Sequence, residues 1–167
     1  RPDPARGPGG MAKAGDMCAE VGPEVPRITE LPEVRALSAG PEPTHVSVAA
    51  ALAALDRGSL LLQRTELDGP AAVAERIATD HGWPDLQMRA RLHRAELSRQ
   101  ASDLVVAASV ATQVNAWAGD HDDVLLLARS HNTLTAVYRH IGGHAESLAH
   151  AVASMAHTPP DAARPTE

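Results

Sequence analysis

The residues most capable of chemistry in this 167-residue chain are its nine histidines. His140 and His144 are four positions apart, a spacing that suits two ligands of one metal ion on a single helix. Gly142–Gly143 lies between them, and glycines are typical of a helix end. His150 and His157 can share a helical face but have no cysteine or carboxylate nearby at a ligand spacing. We therefore expect no cofactor, with a His-rich metal-binding helical bundle as the least favoured alternative.

Two further histidines, His93 and His131, lie within apolar stripes of helical spacing. We expect both to pack in the core with one ring nitrogen hydrogen-bonded. The sequence His121–Asp123 offers acid–base groups, but negative charges also stabilise a helix N-terminus, which we expect at this point. No serine has the strand–turn–helix context of a catalytic nucleophile. The sequence therefore predicts a protein that is not an enzyme.

Helices must position these residues, because the composition disfavours strands. Aromatic residues make up only 2% of the chain, there is no Phe, and alanine, the best helix former, is abundant. These features nearly exclude an all-β sandwich. A net charge of -6 argues against a general nucleic-acid binder, and no apolar stretch approaches the ~20 residues of a membrane span. The single cysteine, Cys18, excludes an intramolecular disulfide and is typical of a reducing, cytoplasmic location.

Prolines divide the chain into three parts. Residues 1–44 are rich in Pro and Gly and are predicted to be a disordered arm, with room for a short helix over Glu30–Leu37. Residues 45–157 have dense helical periodicity, and residues 158–167 read as a disordered tail or linker. Six helices are predicted, at about Val46–Arg64, Pro70–Gly82, Pro84–Gln100, Ser102–Gly119, Asp120–Ile141 and His144–His157.

Short connections make successive helices antiparallel neighbours, so we predict three stacked hairpins. The quartet Ala-Arg-x-His occurs at residues 90–93 and again at residues 128–131. A period of roughly 35 to 40 residues is the signature of a helical solenoid, in which about three hairpins must stack to bury their apolar faces.

From His131 to Pro159 the sequence resembles a tetratricopeptide repeat. His131 and Thr135 depart from that pattern, in which Trp and a small residue are usual. The preceding hairpin resembles the family more loosely, through Ala95, Ser102, Ala107 and Ala111. The positions that carry the resemblance are Leu134, Tyr138, Gly142, Ser147, Ala151, Ser154 and Pro159.

The resemblance implies an all-α fold in which the first helix of each hairpin lines a concave groove. Arginines in this groove would form a basic trough that binds the carboxylates of an acidic peptide or of a protein's C-terminus. The alternative for the arginines is a solvated face paired with nearby Asp and Glu. The repeated quartet places the second helix pair in the same register. The groove residues expected on this basis are Arg91, Arg94, Ser98, Arg129, Asn132, Arg139 and His140, with Ala136 between them.

The function predicted from these features is a non-catalytic protein–protein interaction or sensory scaffold. The composition, rich in Arg and Ala, is similar to the repeat regions of actinobacterial signalling proteins, which implies a fragment of a larger regulatory protein. We expect a protein or peptide partner and neither nucleic acid nor membrane. A homo-oligomerisation module remains open as an alternative, because uncapped solenoid ends are sticky.

Overall fold

A computed structural model describes residues 27–40, 42–60 and 66–158. Within these ranges the regular structure is helical throughout, so the all-α prediction is confirmed. A single 3-10 turn over Ile28–Glu30 precedes seven α-helices. The helices are α1 (Pro32–Ala39), α2 (His45–Leu60), α3 (Asp68–Asp80), α4 (Pro84–Gln100), α5 (Leu104–Asp120), α6 (Val124–Ile141) and α7 (His144–His157).

Ordered structure begins before the predicted boundary at residue 45. Ile28 and Val34 are buried and pack with Leu52 and Leu55 of α2, so α1 belongs to the folded domain. It covers most of the short helix expected over Glu30–Leu37 and ends beyond it. The rest of the predicted arm, residues 1–26, and the tail from residue 159 lie outside the described residues, as does the segment 61–65 after α2.

The last four helices begin at intervals of 20 residues, at positions 84, 104, 124 and 144. The turn before each helix has the same geometry, with a left-handed residue two positions before the helix starts. These residues are Gly82 (φ 67°), Ser102 (φ 65°), Asp122 (φ 55°) and Gly142 (φ 81°). In each turn the following amide donates to a carbonyl five residues back, which is the Schellman arrangement. The donors and acceptors are Trp83 to Ala78, Asp103 to Ser98, Asp123 to Ala118 and Gly143 to Tyr138, at 2.8–3.0 Å.

Two predicted helix starts are therefore wrong by a few residues. Ser102 does not cap α5, because its left-handed backbone forms the turn; Asp103 caps the helix instead, accepting from the Val106 amide at 3.2 Å. Asp120 ends α5 and does not open α6. Asp123 caps α6 and accepts from the Leu126 amide at 2.9 Å, as expected for an acidic residue at a helix N-terminus.

Each helix packs against its neighbours in sequence order, which is the arrangement of a solenoid of hairpins. The first core lies among α1 to α4, and the second among α4, α5 and α6. Ala107, Ala111 and Ala118 of α5 are fully buried, and their small side chains let α5 approach its neighbours closely. The last helix, α7, contains no buried residue.

The helix starts set the repeat at 40 residues and correct the register that the quartet suggested. The quartet copies are 38 residues apart, so their residues are not structural equivalents. In the 40-residue register, Arg129 of α6 corresponds to Arg89 of α4, and Arg91 corresponds to His131.

Candidate functional site

A groove of about 700 Å³ runs across one side of the stack. Its walls come from α2, α4 and α6, the first helices of the three hairpins. The residues that line it are Asp56 from α2; Leu92, His93, Glu96, Arg99 and Gln100 from α4; and Leu125, Arg129, Asn132, Thr133, Ala136 and Arg139 from α6.

Asp56 is the electrostatic centre of the groove. Both of its carboxylate oxygens accept from the Arg129 guanidinium, one of them at 3.0 Å. His93 Nε2 lies 2.9 Å from Asp56 Oδ1, and an Arg89 nitrogen lies 3.8 Å from Oδ2. Burial raises the pKa of Asp56, but the contacts with His93 and Arg129 outweigh it, and the net pKa is below the usual 3.8. One carboxylate therefore holds cations from two other hairpins.

His93 has the environment that the sequence predicts. It is 5% exposed and directs one ring nitrogen at Asp56. The second wall carboxylate, Glu96, accepts from Arg99 one turn further along α4, with Arg99 Nε at 2.9 Å. Both acidic groups of the groove are thus already engaged by arginines of the protein itself.

One side of α6 provides the groups that remain available to a ligand. Leu125, Arg129, Asn132, Ala136 and Arg139 follow each other at steps of four and three, and all line the groove. Leu125 is 59% exposed. Within the described part of the chain, no hydrogen bond or ion pair occupies the Asn132 amide or the Arg139 guanidinium. Ala136 between them leaves space for a ligand backbone to approach the helix.

The structure places the predicted groove residues on two different surfaces. Arg129, Asn132 and Arg139 line the groove, as does Ala136. His140 is exposed, lies outside the groove lining, and has its Nδ1 2.7 Å from the Ala136 carbonyl oxygen. Arg91, Arg94 and Ser98 line a separate pocket of about 270 Å³ together with Glu75.

Arg91 and Arg94 are held by a single carboxylate. Arg91 Nε donates to Glu75 Oε1 at 2.9 Å, and Arg94 donates to Glu75 Oε2 at 2.8 Å. Burial raises the pKa of Glu75, but its bonds to Arg94 and Arg91 lower it overall. For these two arginines the alternative of a face paired with acidic residues is the one observed.

Sequence reasoning missed most of the α4 wall because it used the wrong register. A signal was present: Gly82 and Asp122 stand at the same place before α4 and α6, and aligning these turns makes Arg99 the equivalent of Arg139. Asp56 carried no such signal, since its partners are distant in sequence. The overlooked groove residues are Asp56, Leu92, His93, Glu96, Arg99, Gln100, Leu125 and Thr133.

Metal ligation finds no support in the described residues. No group of three or more His, Cys, Asp or Glu side chains within them is arranged to hold a metal ion. His140 and His144 lie on different helices, separated by the turn at Gly142. A search of the same residues for an apolar helix of membrane-spanning length found none.

Comparison with known proteins adds no family: no family model matches the sequence, and neither a curated protein nor a solved structure matches it.

Proposed function

We propose that this protein is a non-catalytic interaction module that binds an acidic peptide in the groove across α2, α4 and α6. The observation that supports this proposal is the stripe on α6, where Arg139, Asn132 and Leu125 present a cation, an amide and an apolar side chain with no competing intramolecular partner among the described residues. Such a scaffold suits a regulatory protein in which other segments supply the output.

The resemblance to tetratricopeptide repeats agrees with the positions within the last hairpin. Leu134 is buried, Gly142 forms the turn, and the hydroxyls of Ser147 and Ser154 donate to carbonyls of α6. The 40-residue spacing of this protein is longer than the 34 residues of that family. The support therefore comes from the hairpin contacts and the groove, and not from repeat length.

The spacing of the stripe defines the peptide that fits it. Leu125 and Arg139 are separated by about 21 Å of helix, which an extended peptide spans with about six residues. The paired acids Asp56 and Glu96 leave Arg139 as the cation open to a ligand carboxylate. We expect a ligand with an acidic group at one end and an apolar side chain about six residues away.

Labelled heptapeptide pools test this proposal. The pools carry two Asp at one end and Leu at the other, in both orientations, and a control pool carries two Lys in place of Asp. Fluorescence anisotropy should show binding of one acidic pool, and Arg139→Ala should weaken it about tenfold, because a charge-assisted hydrogen bond is lost.

Arg76→Ala is the matched control, because Arg76 is an exposed arginine on α3 outside the groove lining. It removes the same charge and should leave the affinity unchanged. The proposal fails if neither acidic pool binds, or if the two arginine variants weaken binding equally.

A second candidate function, self-association, is favoured by the outer face of α7. Leu148, Val152 and Met155 lie on one side of this helix and are 66%, 59% and 78% exposed. Met155 is the 40-residue equivalent of Asn115, whose amide reaches Ser130 of the next helix at 2.9 Å. The exposed face of α7 is thus the one that α5 uses to contact its successor.

This face is complementary to itself. In an antiparallel pairing of two copies of α7 about Val152, Leu148 would lie opposite Ala156 and Met155 opposite Ala149 of the second copy, so large side chains meet small ones. Light scattering at about 100 µM protein should then show a dimer that Val152→Asp dissociates. Val105→Asp on α5, at a residue that is 81% exposed, is the control. A monomeric parent protein, or equal effects of both variants, would exclude this function.

A further inference from the structure

Four aromatic rings form a ladder between the last two helices. His131 and Tyr138 belong to α6, and His150 and His157 belong to α7. The His131 ring lies 5.2 Å from that of His150 and stacks on that of His157 at 6.0 Å, while Tyr138 stacks on His150 at 5.4 Å. The function proposed above makes no use of these residues.

The central contact of this ladder depends on protonation. Nδ1 of His131 lies 2.9 Å from Nδ1 of His150. One of these nitrogens must therefore carry a hydrogen and donate, while the other accepts with its lone pair. Adding one proton to the pair keeps this hydrogen bond, because an imidazolium still donates. Adding a second proton places two N–H groups face to face and removes the acceptor.

The surroundings provide nothing that would stabilise two positive charges there. Burial lowers the pKa of His131, with His150 and His157 adding to the effect, and burial lowers the pKa of His150. Tyr138 is the remaining titratable group in ring contact. The other charged or titratable groups of the packed helices do not contribute to either pKa; they are Asp120 of α5, Arg129, Arg139 and His140 of α6, and His144 and Glu146 of α7.

The attachment of α7 depends on few other interactions. No residue of α7 is buried. Two hydroxyl groups reach the backbone of α6: Ser147 donates to the Thr135 carbonyl at 3.0 Å, and Ser154 to the Ala128 carbonyl at 2.9 Å. Loss of the ring ladder should therefore affect α7 more than the helices that are held by the buried core.

We propose that the His131–His150 pair and its flanking rings form an acid-sensitive latch, whose double protonation releases α7 from α6 while the preceding helices remain folded. Both pKa values lie below that of a free imidazole, so the undocked helix binds protons more readily than the docked one. Docking is consequently strongest above about pH 6.5 and weakens as the pH falls through the docked pKa values.

Hydrogen exchange of the full-length protein, read by mass spectrometry as protection factors, tests the latch. Between pH 7.5 and pH 5.5 we expect protection in α7 to fall about tenfold or more relative to α5. In His150→Gln, the neutral amide can still bond His131, and the fall should be largely abolished. His144→Gln, at an exposed histidine at the start of α7, should retain it.

A second measurement does not depend on any variant. Ring nitrogen chemical shifts of the parent protein should show His131 and His150 titrating at lower pH than His144. The proposal is overturned if either of them titrates at or above the pH of His144, if α7 keeps its protection down to pH 5, or if the two glutamine variants respond alike.

Discussion

Asp122 and Asp123 are adjacent residues in the turn before α6, yet they contribute in opposite ways. Asp123 accepts a hydrogen bond from the Leu126 amide at 2.9 Å and so caps the helix. Asp122 has a positive φ of 55°, a conformation that side chains with a Cβ adopt at a cost. The same residue type is thus favourable at one position and strained at the next.

Two substitutions separate these effects. Asp123→Ala should lower the free energy of unfolding by about 1 kcal/mol, because an N-cap bond is lost. Asp122→Gly should raise it by less than about 1 kcal/mol, because glycine adopts a positive φ without steric strain. Urea unfolding followed by circular dichroism measures both, and a change of the same sign in the two variants would contradict this account.

Single residues were predictable where local physics decides their environment. The core location of His93 followed from its apolar stripe, and the capping role of an acidic residue before α6 followed from the helix dipole. The partner of His93 was not predictable, because Asp56 is 37 positions away and only the stacking of α2 on α4 brings the two together.

At the scale of elements, helix existence and many boundaries could be read from the sequence, while the rotation of one helix relative to its repeat could not. The bounds of α4 and α7 match their predictions, because Pro84 opens one helix and glycines precede the other. The quartet differs from the true repeat by two residues. Two residues rotate a side chain by about 200° around a helix, which moves Arg91 from the groove to the side facing Glu75.

At the scale of the whole molecule, Asp56 joins parts of the stack that are not sequence neighbours. A solenoid is stabilised mainly by contacts between adjacent units, but Asp56 of α2 binds Arg129 of α6, 73 residues away. This ion pair couples the first core, which contains Trp83, to the second, which contains Trp117.

Asp56→Asn should weaken that coupling. We expect a loss of about 2 kcal/mol at pH 7, because Arg129 and the buried His93 lose their anionic partner. Trp83→Phe and Trp117→Phe backgrounds leave one indole in each core, so fluorescence follows each core separately during urea unfolding. Their midpoints should coincide with Asp56 present and separate in Asp56→Asn.

Acid provides a further check of this prediction. The pKa of Asp56 is lowered on folding, so its contribution to stability is complete above the usual 3.8 and disappears as the pH falls through the folded value. The parent protein and Asp56→Asn should therefore become equally stable below about pH 3. Asp80→Asn, at the exposed end of α3, should match the parent protein throughout. A stability difference that persists in acid would assign the effect to packing instead of charge.

The identical junctions at positions 82, 102, 122 and 142 make the architecture modular in length. Excising residues 84–123 would connect α3 to α6 through the kind of connector already used between α3 and α4, and would bring Arg129 to the place of Arg89 beside Asp56. Duplicating the same 40 residues would extend the groove by one helix. A gene for such a protein is therefore able to gain or lose a helix pair in a single step, without a new linker having to evolve.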